Sequence, residues 1–125
     1  MGEKVKNFRE LRIWQRAMDV LPKVYSLARS LPRCEQFALA DQIRRAAVSI
    51  PTNIAEGQAR GHTREFIRYL LIARGSLAEL QTLLLVAERL QYVAQEELVD
   101  IDQELLSVLM PLSALVKRLQ SAEKA

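Results

Sequence analysis

The sequence has few of the residues that build cross-links, sheets and metal centres. Its 125 residues include one cysteine, Cys34, and one histidine, His62. A single cysteine excludes an intrachain disulfide, which suits a reducing compartment. One Cys with one His does not complete a tetrahedral zinc site within a chain. The di-iron site of helical bundles needs Glu-x-x-His, and Ala59 stands three residues before His62. No cofactor or metal is therefore expected. Aromatic residues are 6% of the chain while 50% is hydrophobic, so the apolar mass is Leu, Ala, Ile and Val, which favours packed helices over a β sandwich. The longest wholly apolar runs, such as residues 83–87, fall far short of the roughly 20 residues that span a bilayer, so no membrane span is predicted. The start, MGEKVKNFRELRIW, has no apolar stretch after its charges, which predicts no secretory signal and a cytoplasmic location. Gly57-Gln58-Ala59-Arg60-Gly61 lacks the Gly-Lys-Ser/Thr of a phosphate loop and reads as a turn. Nothing ties Cys34 to His62 as a nucleophile and base, so no enzyme is predicted.

The apolar residues that are present recur with the period of a helix. Over residues 11–30, Leu11, Trp14, Ala17, Leu21, Val24 and Ala28 fall on one face, and Leu31-Pro32 ends the run. A second helix is predicted from about Phe37 to Ala59 with Leu39, Ile43, Ala46, Ala47, Ile50 and Ile54 inward, and Gly57 and Gly61 punctuate its end. From Phe66 a third gives the heptad seam Phe66, Leu70, Ala73, Leu77, Leu80, Leu84 and Ala87. It has a second apolar face at Ile67, Leu71, Ile72, Leu83, Val86 and Leu90, which implies burial on more than one side. The fourth, residues 95–120, repeats the seam as Leu98, Ile101, Leu105, Val108, Leu112, Leu115 and Leu119. Its start is weakly capped, because Ala94 stands where Ser or Thr would complete a capping box with Glu97. Short connections make consecutive helices antiparallel neighbours, so the fold class is all-α, an up-down four-helix bundle in a single domain spanning residues 1–125. Pro22, Pro51 and Pro111 lie inside predicted helices, and each should bend its helix or remove a turn.

The segments LRIWQRAMDV, QIRRAAVSIPTNIAEG, EFIRYLLIARGSLAEL and LQYV carry a resemblance over nearly the whole chain, from about Phe8 to Leu119. Together the sequence resembles the bacterial four-helix bundle family named for the 23S ribosomal RNA intervening-sequence protein. The resemblance implies a cytosolic bundle that assembles into a ring-like homopentamer and has no established enzymatic activity. Some relatives are encoded within intervening sequences of ribosomal RNA genes. A more distant relative of similar fold is the basic accessory protein of diversity-generating retroelements, which binds nucleic acid and a reverse transcriptase. The positions that match the family pattern are Gln42, Arg45, Ser49, Pro51, Asn53, Glu56 and Gly57, then Gly75, Ser76 and Glu79. Gln81 and Ala94 depart from it, where a glutamate and a serine are expected.

Gln42, Arg45, Ser49, Asn53 and Glu56 form a polar row beside the apolar stripe of the second helix. The first reading of this row is structural pairing, within or between chains, with Arg45 and Glu79 as one candidate pair and a Ser, Thr or Asn satisfying the Ala47 carbonyl that Pro51 leaves free. Nucleic-acid contact and catalysis are the competing readings. For RNA or DNA the better candidates are exposed cations: Lys4, Lys6, Arg9, Arg12 and Arg16 near the start, and Arg60, Arg64 and Arg68 at steps of four. Charge is uneven along the chain. Residues 1–75 hold 14 Lys/Arg and 7 Asp/Glu, whereas residues 76–125 hold 4 and 8, giving +7 and −4. Such a split presents a basic face to an anionic partner or pairs subunits electrostatically. The expected function is a non-enzymatic oligomeric scaffold binding RNA or DNA through a basic surface. The alternative is an adaptor that docks another protein without touching nucleic acid.

Overall fold

A computed structural model describes residues 7–124, all of whose regular elements are helical. After a 3₁₀ turn at Phe8–Glu10, the helices are α1 (Arg12–Asp19), α2 (Leu21–Arg29), α3 (Leu39–Ala59), α4 (Thr63–Arg89) and α5 (Gln95–Lys124). A second 3₁₀ turn, Arg33–Glu35, precedes α3. The helices α1 and α2 form one arm of an antiparallel four-helix bundle, and α3, α4 and α5 form the other three.

The prolines act differently from one another. Near Pro22 the first arm divides, with Val20 between α1 and α2. Pro51 and Pro111 instead lie inside α3 and α5, which run on through them. Proline at 111 leaves the Ser107 carbonyl without its i+4 amide donor. That carbonyl accepts from the Arg16 guanidinium at 3.1 Å, across the groove between α5 and α1. At Pro51 the hydroxyls and amide nearby do not reach the Ala47 carbonyl as expected: Ser49 Oγ donates to Ala46, Thr52 Oγ1 to Val48 and Asn53 Nδ2 to Ser49. Each bonds back to a carbonyl three or four residues earlier, the geometry a hydroxyl or amide on a helix reaches most easily.

The core is one cluster of Leu, Ile, Val and Ala drawn from every arm. The α4 seam from Leu70 to Ala87 is buried as predicted, with Phe66 half-buried at its start. The α5 seam keeps Leu98, Ile101, Leu105, Val108 and Leu112, then shifts to Val116, leaving Leu115 and Leu119 half-buried. In the first arm the buried row is Ile13, Ala17, Val20, Val24, Leu27, Ala28 and Leu31, whereas Leu11, Trp14 and Leu21 flank it. By length and composition alone α4 is apolar enough to cross a bilayer, a property that the short apolar runs conceal because Arg74 and Glu79 divide them. One side of α4 nevertheless forms the bundle core, from Tyr69 to Ala87.

Two glycines and a glutamine set the turns and the closest approach. Gly57 lies within α3 and is not its terminator: a Cβ there would stand 2.5 Å from Tyr69 Cβ, so α3 and α4 meet at this point because no side chain intervenes. The turn after α3 is made by Gly61, at φ 77°, where glycine carries no Cβ penalty. α4 begins at Thr63, with the extended His62 before it giving no side-chain cap. α4 ends in a Schellman motif, with Tyr92 N–H donating to Ala87 and Gln91 N–H to Glu88, which places Gln91 at φ 65°. At the start of α5 half of a capping box forms despite Ala94, since Glu97 Oε1 accepts from the Ala94 amide at 2.7 Å.

Candidate nucleic-acid interface

The polar row of α3 is a series of local bonds. Arg45 pairs with Asp41 at 3.1 Å one turn earlier, with its side chain 81% exposed, and does not pair with Glu79. The two lie on different helices, and the i,i+4 carboxylate on Arg45's own helix face is the nearer partner. Glu79 and Gln42 are exposed, whereas Ser49 and Asn53 are half-buried. Beside Arg45 a shallow groove of about 510 Å³ runs along α3 past Tyr25, Arg44, Val48 and Thr52.

Glu56 belongs to a cluster built where Gly57 brings α3 and α4 together. Its Oε2 accepts from Arg60 Nη2 at 3.0 Å and from the Tyr69 hydroxyl at 3.2 Å, while Arg60 also donates to the Tyr69 oxygen at 2.8 Å. Arg60 and Arg68 lie over the Tyr69 ring, 5.1 and 4.6 Å from its centroid. Arg68 is held by Glu65 at 3.2 Å. The hydrogen bond from Arg60, then that from Tyr69, holds the Glu56 carboxyl below its usual range. Arg68 does the same to Glu65. The third arginine of the row, Arg64, is 3.6 Å from Glu123 and 89% exposed. The arginines predicted as a positive ladder are thus each matched by a carboxylate, and two of them brace a tyrosine.

Of the early cations, Arg16 is tied to Ser107, Arg9 lies over the Phe8 ring at 5.0 Å, and Arg12 is exposed on α1. Lys4 and Lys6 lie outside the described residues.

The fold also gathers cations that are far apart in the chain. The start of α1, the α3–α4 turn and the C-terminal half of α5 share one end of the bundle. Cut across its middle, the described molecule has ten Lys/Arg and five Asp/Glu in residues 7–20, 50–76 and 110–124. The other half, residues 21–49 and 77–109, has six and nine. One end therefore carries +5 and the other −3. Lys117, Arg118 and Lys124 join the basic end, although their stretch of sequence is acidic as a whole; only the topology shows it.

The sequence profile of the 23S rRNA-intervening sequence proteins matches residues 9–114. The chain belongs to the 23S rRNA-intervening sequence protein family. No curated protein matches its sequence. Among solved structures it is similar to a protein of unknown function from the S23 ribosomal protein family of Bacteroides thetaiotaomicron, at 23% identity and a TM-score of 0.77. The match covers 84% of this chain and 98% of that one, and shows a shared fold.

In this 23S rRNA-intervening sequence protein the exposed cations of the basic end include Arg9, Arg12, Lys117, Arg118 and Lys124, with Arg64 also largely exposed although paired with Glu123. Arg16, Arg60 and Arg68 are engaged in the fold. Among the described residues no group of three or more His, Cys, Asp or Glu is placed to hold a metal ion.

Proposed function

We propose that the protein is a non-enzymatic, homo-oligomeric cytoplasmic scaffold that holds RNA or DNA by its phosphate backbone at the basic end. The observation that carries this reading is the convergence of three chain-distant segments into one end of net charge +5. Phosphate contact needs clustered exposed cations and no base-reading groups, and repetition around a ring-like pentamer multiplies weak single contacts. Anisotropy of labelled single-stranded RNA and duplex DNA across a salt series tests it. Affinity should fall steeply with salt, and Arg12→Glu with Lys117→Glu should flatten the slope. Absence of binding at low ionic strength overturns it.

A second reading has its own observation. Of the eleven large hydrophobics that stay exposed among the described residues, Leu71, Ile72, Leu85 and Val86 lie on α4, Leu90 follows it, and Val99, Leu106 and Met110 lie on α5. Such an apolar face suits a polypeptide, either another copy of the chain or a different protein for which this one is an adaptor. A pull-down after nuclease treatment separates the readings, since a protein partner survives it. A stable monomer in light scattering would remove the oligomer from both.

A further inference from the structure

The basic end is hollow as well as charged. Between the α3–α4 turn, the start of α1 and the C-terminal turns of α5 lies a pocket of about 460 Å³, a size that holds small ligands. Its apolar wall is Leu11, Phe66, Leu115 and Leu119, and His62 and Thr63 supply polar groups. Phe66 is half-buried, and a Cβ at Gly57 would stand 3.3 Å from its Cδ1, so one edge of the ring rests on bare helix backbone while the side chain lines the cavity. His62 is exposed and caps no helix, which leaves a second aromatic ring at the same place.

Each of the three segments that wall the pocket carries exposed cations beside a wall residue. Arg12 follows Leu11, Arg64 follows Thr63, and Lys117 and Arg118 lie between Leu115 and Leu119. Residues 9–16, 57–68 and 114–124 together hold nine Lys/Arg and three Asp/Glu, a net +6. The three carboxylates are Glu10, beside Leu11, and Glu65 and Glu123, which pair with Arg68 and Arg64. A ligand suited to this place joins repeated negative charge to a flat apolar group, and a nucleotide strand has both in every unit. We propose that the pocket receives one unpaired base of a single-stranded RNA or DNA whose phosphates lie along the flanking cations. In a duplex every base is paired and stacked, so a single strand is what can present one. Stacking on an aromatic face accepts any base, so the contact adds affinity without reading sequence. The inference rests on the proposed holding of nucleic acid at this end and adds to it the kind of strand that is held.

Anisotropy with two labelled strands of equal length tests it: one of thymidines, the other of abasic units with the same phosphates. The thymidine strand should bind roughly 5- to 150-fold more tightly, the worth of one stacked base, and the two salt slopes should coincide because the phosphates are the same. Phe66→Leu keeps an apolar residue in the α4 seam and removes the ring, so it should cut that preference roughly fivefold or more while leaving the abasic strand's affinity unchanged. In the wild type, 5-iodouridine placed in the strand should photo-crosslink to Phe66 or His62. Equal affinity for the two strands, a preference unchanged in Phe66→Leu, or crosslinks confined to residues outside the pocket would overturn the base pocket and leave phosphate holding intact. Failure of both strands to bind at low ionic strength would overturn the two readings together. Tighter binding of an acidic, aromatic polypeptide such as poly(Glu,Tyr) than of the thymidine strand would assign the pocket to a peptide instead and overturn the proposal.

Discussion

Arg16 and Ser107, 91 residues apart, are joined because of a third residue: the Arg16 guanidinium occupies the carbonyl that Pro111 deprives of its helical donor. Arg16→Ala should cost about 1–3 kcal/mol, since it strands a half-buried acceptor. Pro111→Ala restores an amide able to reach Ser107, and in that background the loss of Arg16 should cost less. Urea denaturation of the four proteins in a double-mutant cycle checks it; additive effects would mean the guanidinium is not compensating for the proline.

Gly57 and Gly75 should respond to alanine with opposite signs. At Gly57 the new Cβ meets Tyr69 Cβ at 2.5 Å, and the overpacking should outweigh the gain in helix propensity for a net loss of about 1–2 kcal/mol. At Gly75 nothing lies within 4 Å, so alanine should stabilise by about 0.5–1 kcal/mol. Thermal unfolding of both variants compares them directly.

Gln91 holds a left-handed position that glycine fills without a Cβ penalty. Gln91→Gly should raise stability by about 0.5–1 kcal/mol, a rise in Tm of a few degrees. An unchanged or lowered Tm would show that the side chain makes a compensating contribution.

Stability should decline at both ends of the pH range for separate reasons. Glu56 is held below its usual range by Arg60 and then Tyr69, so its contribution is present above the ordinary glutamate pKa and is lost as pH falls through the lowered folded value. Tyr92 is pushed up by its hydrogen bond to Glu35, then by burial, so its contribution is present below the ordinary tyrosine pKa and is lost as pH rises through the raised one. In melts across pH, Glu56→Gln should flatten the acid limb and Tyr92→Phe the alkaline limb.

The seams of α4 and α5 were legible in the sequence because heptad spacing and burial are two views of one constraint: a residue such as Leu77 or Leu105 recurs where a helix turns inward. The role of Gly57 was not. Glycine near the end of an apolar run reads as a terminator, and only the position of Tyr69 shows that it is a contact between helices. Arg60 and Arg68 pair with Glu56 and Glu65 at the i,i+4 and i,i+3 spacings that the sequence already offers, whereas the carbonyl that occupies Arg16 depends on how α1 and α5 pack. The basic end was half visible. Arg9, Arg12 and Arg64 were named from sequence, whereas Lys117 and Arg118 are hidden in an acidic stretch until the antiparallel course of α5 returns them to the start of α1.

That antiparallel course also orders events during synthesis. The three residues between α3 and α4 close a hairpin at small loop-entropy cost, and α3 with α4 is the most extensive pairing in the molecule. Arg16 with Ser107, and Lys23 between Asp100 and Glu104, instead clasp the first arm to the last. Neither clasp exists until α5 has left the ribosome. The first three arms alone leave the greasy interior of the bundle open along one wall, and the thirty residues of α5 are what seal it.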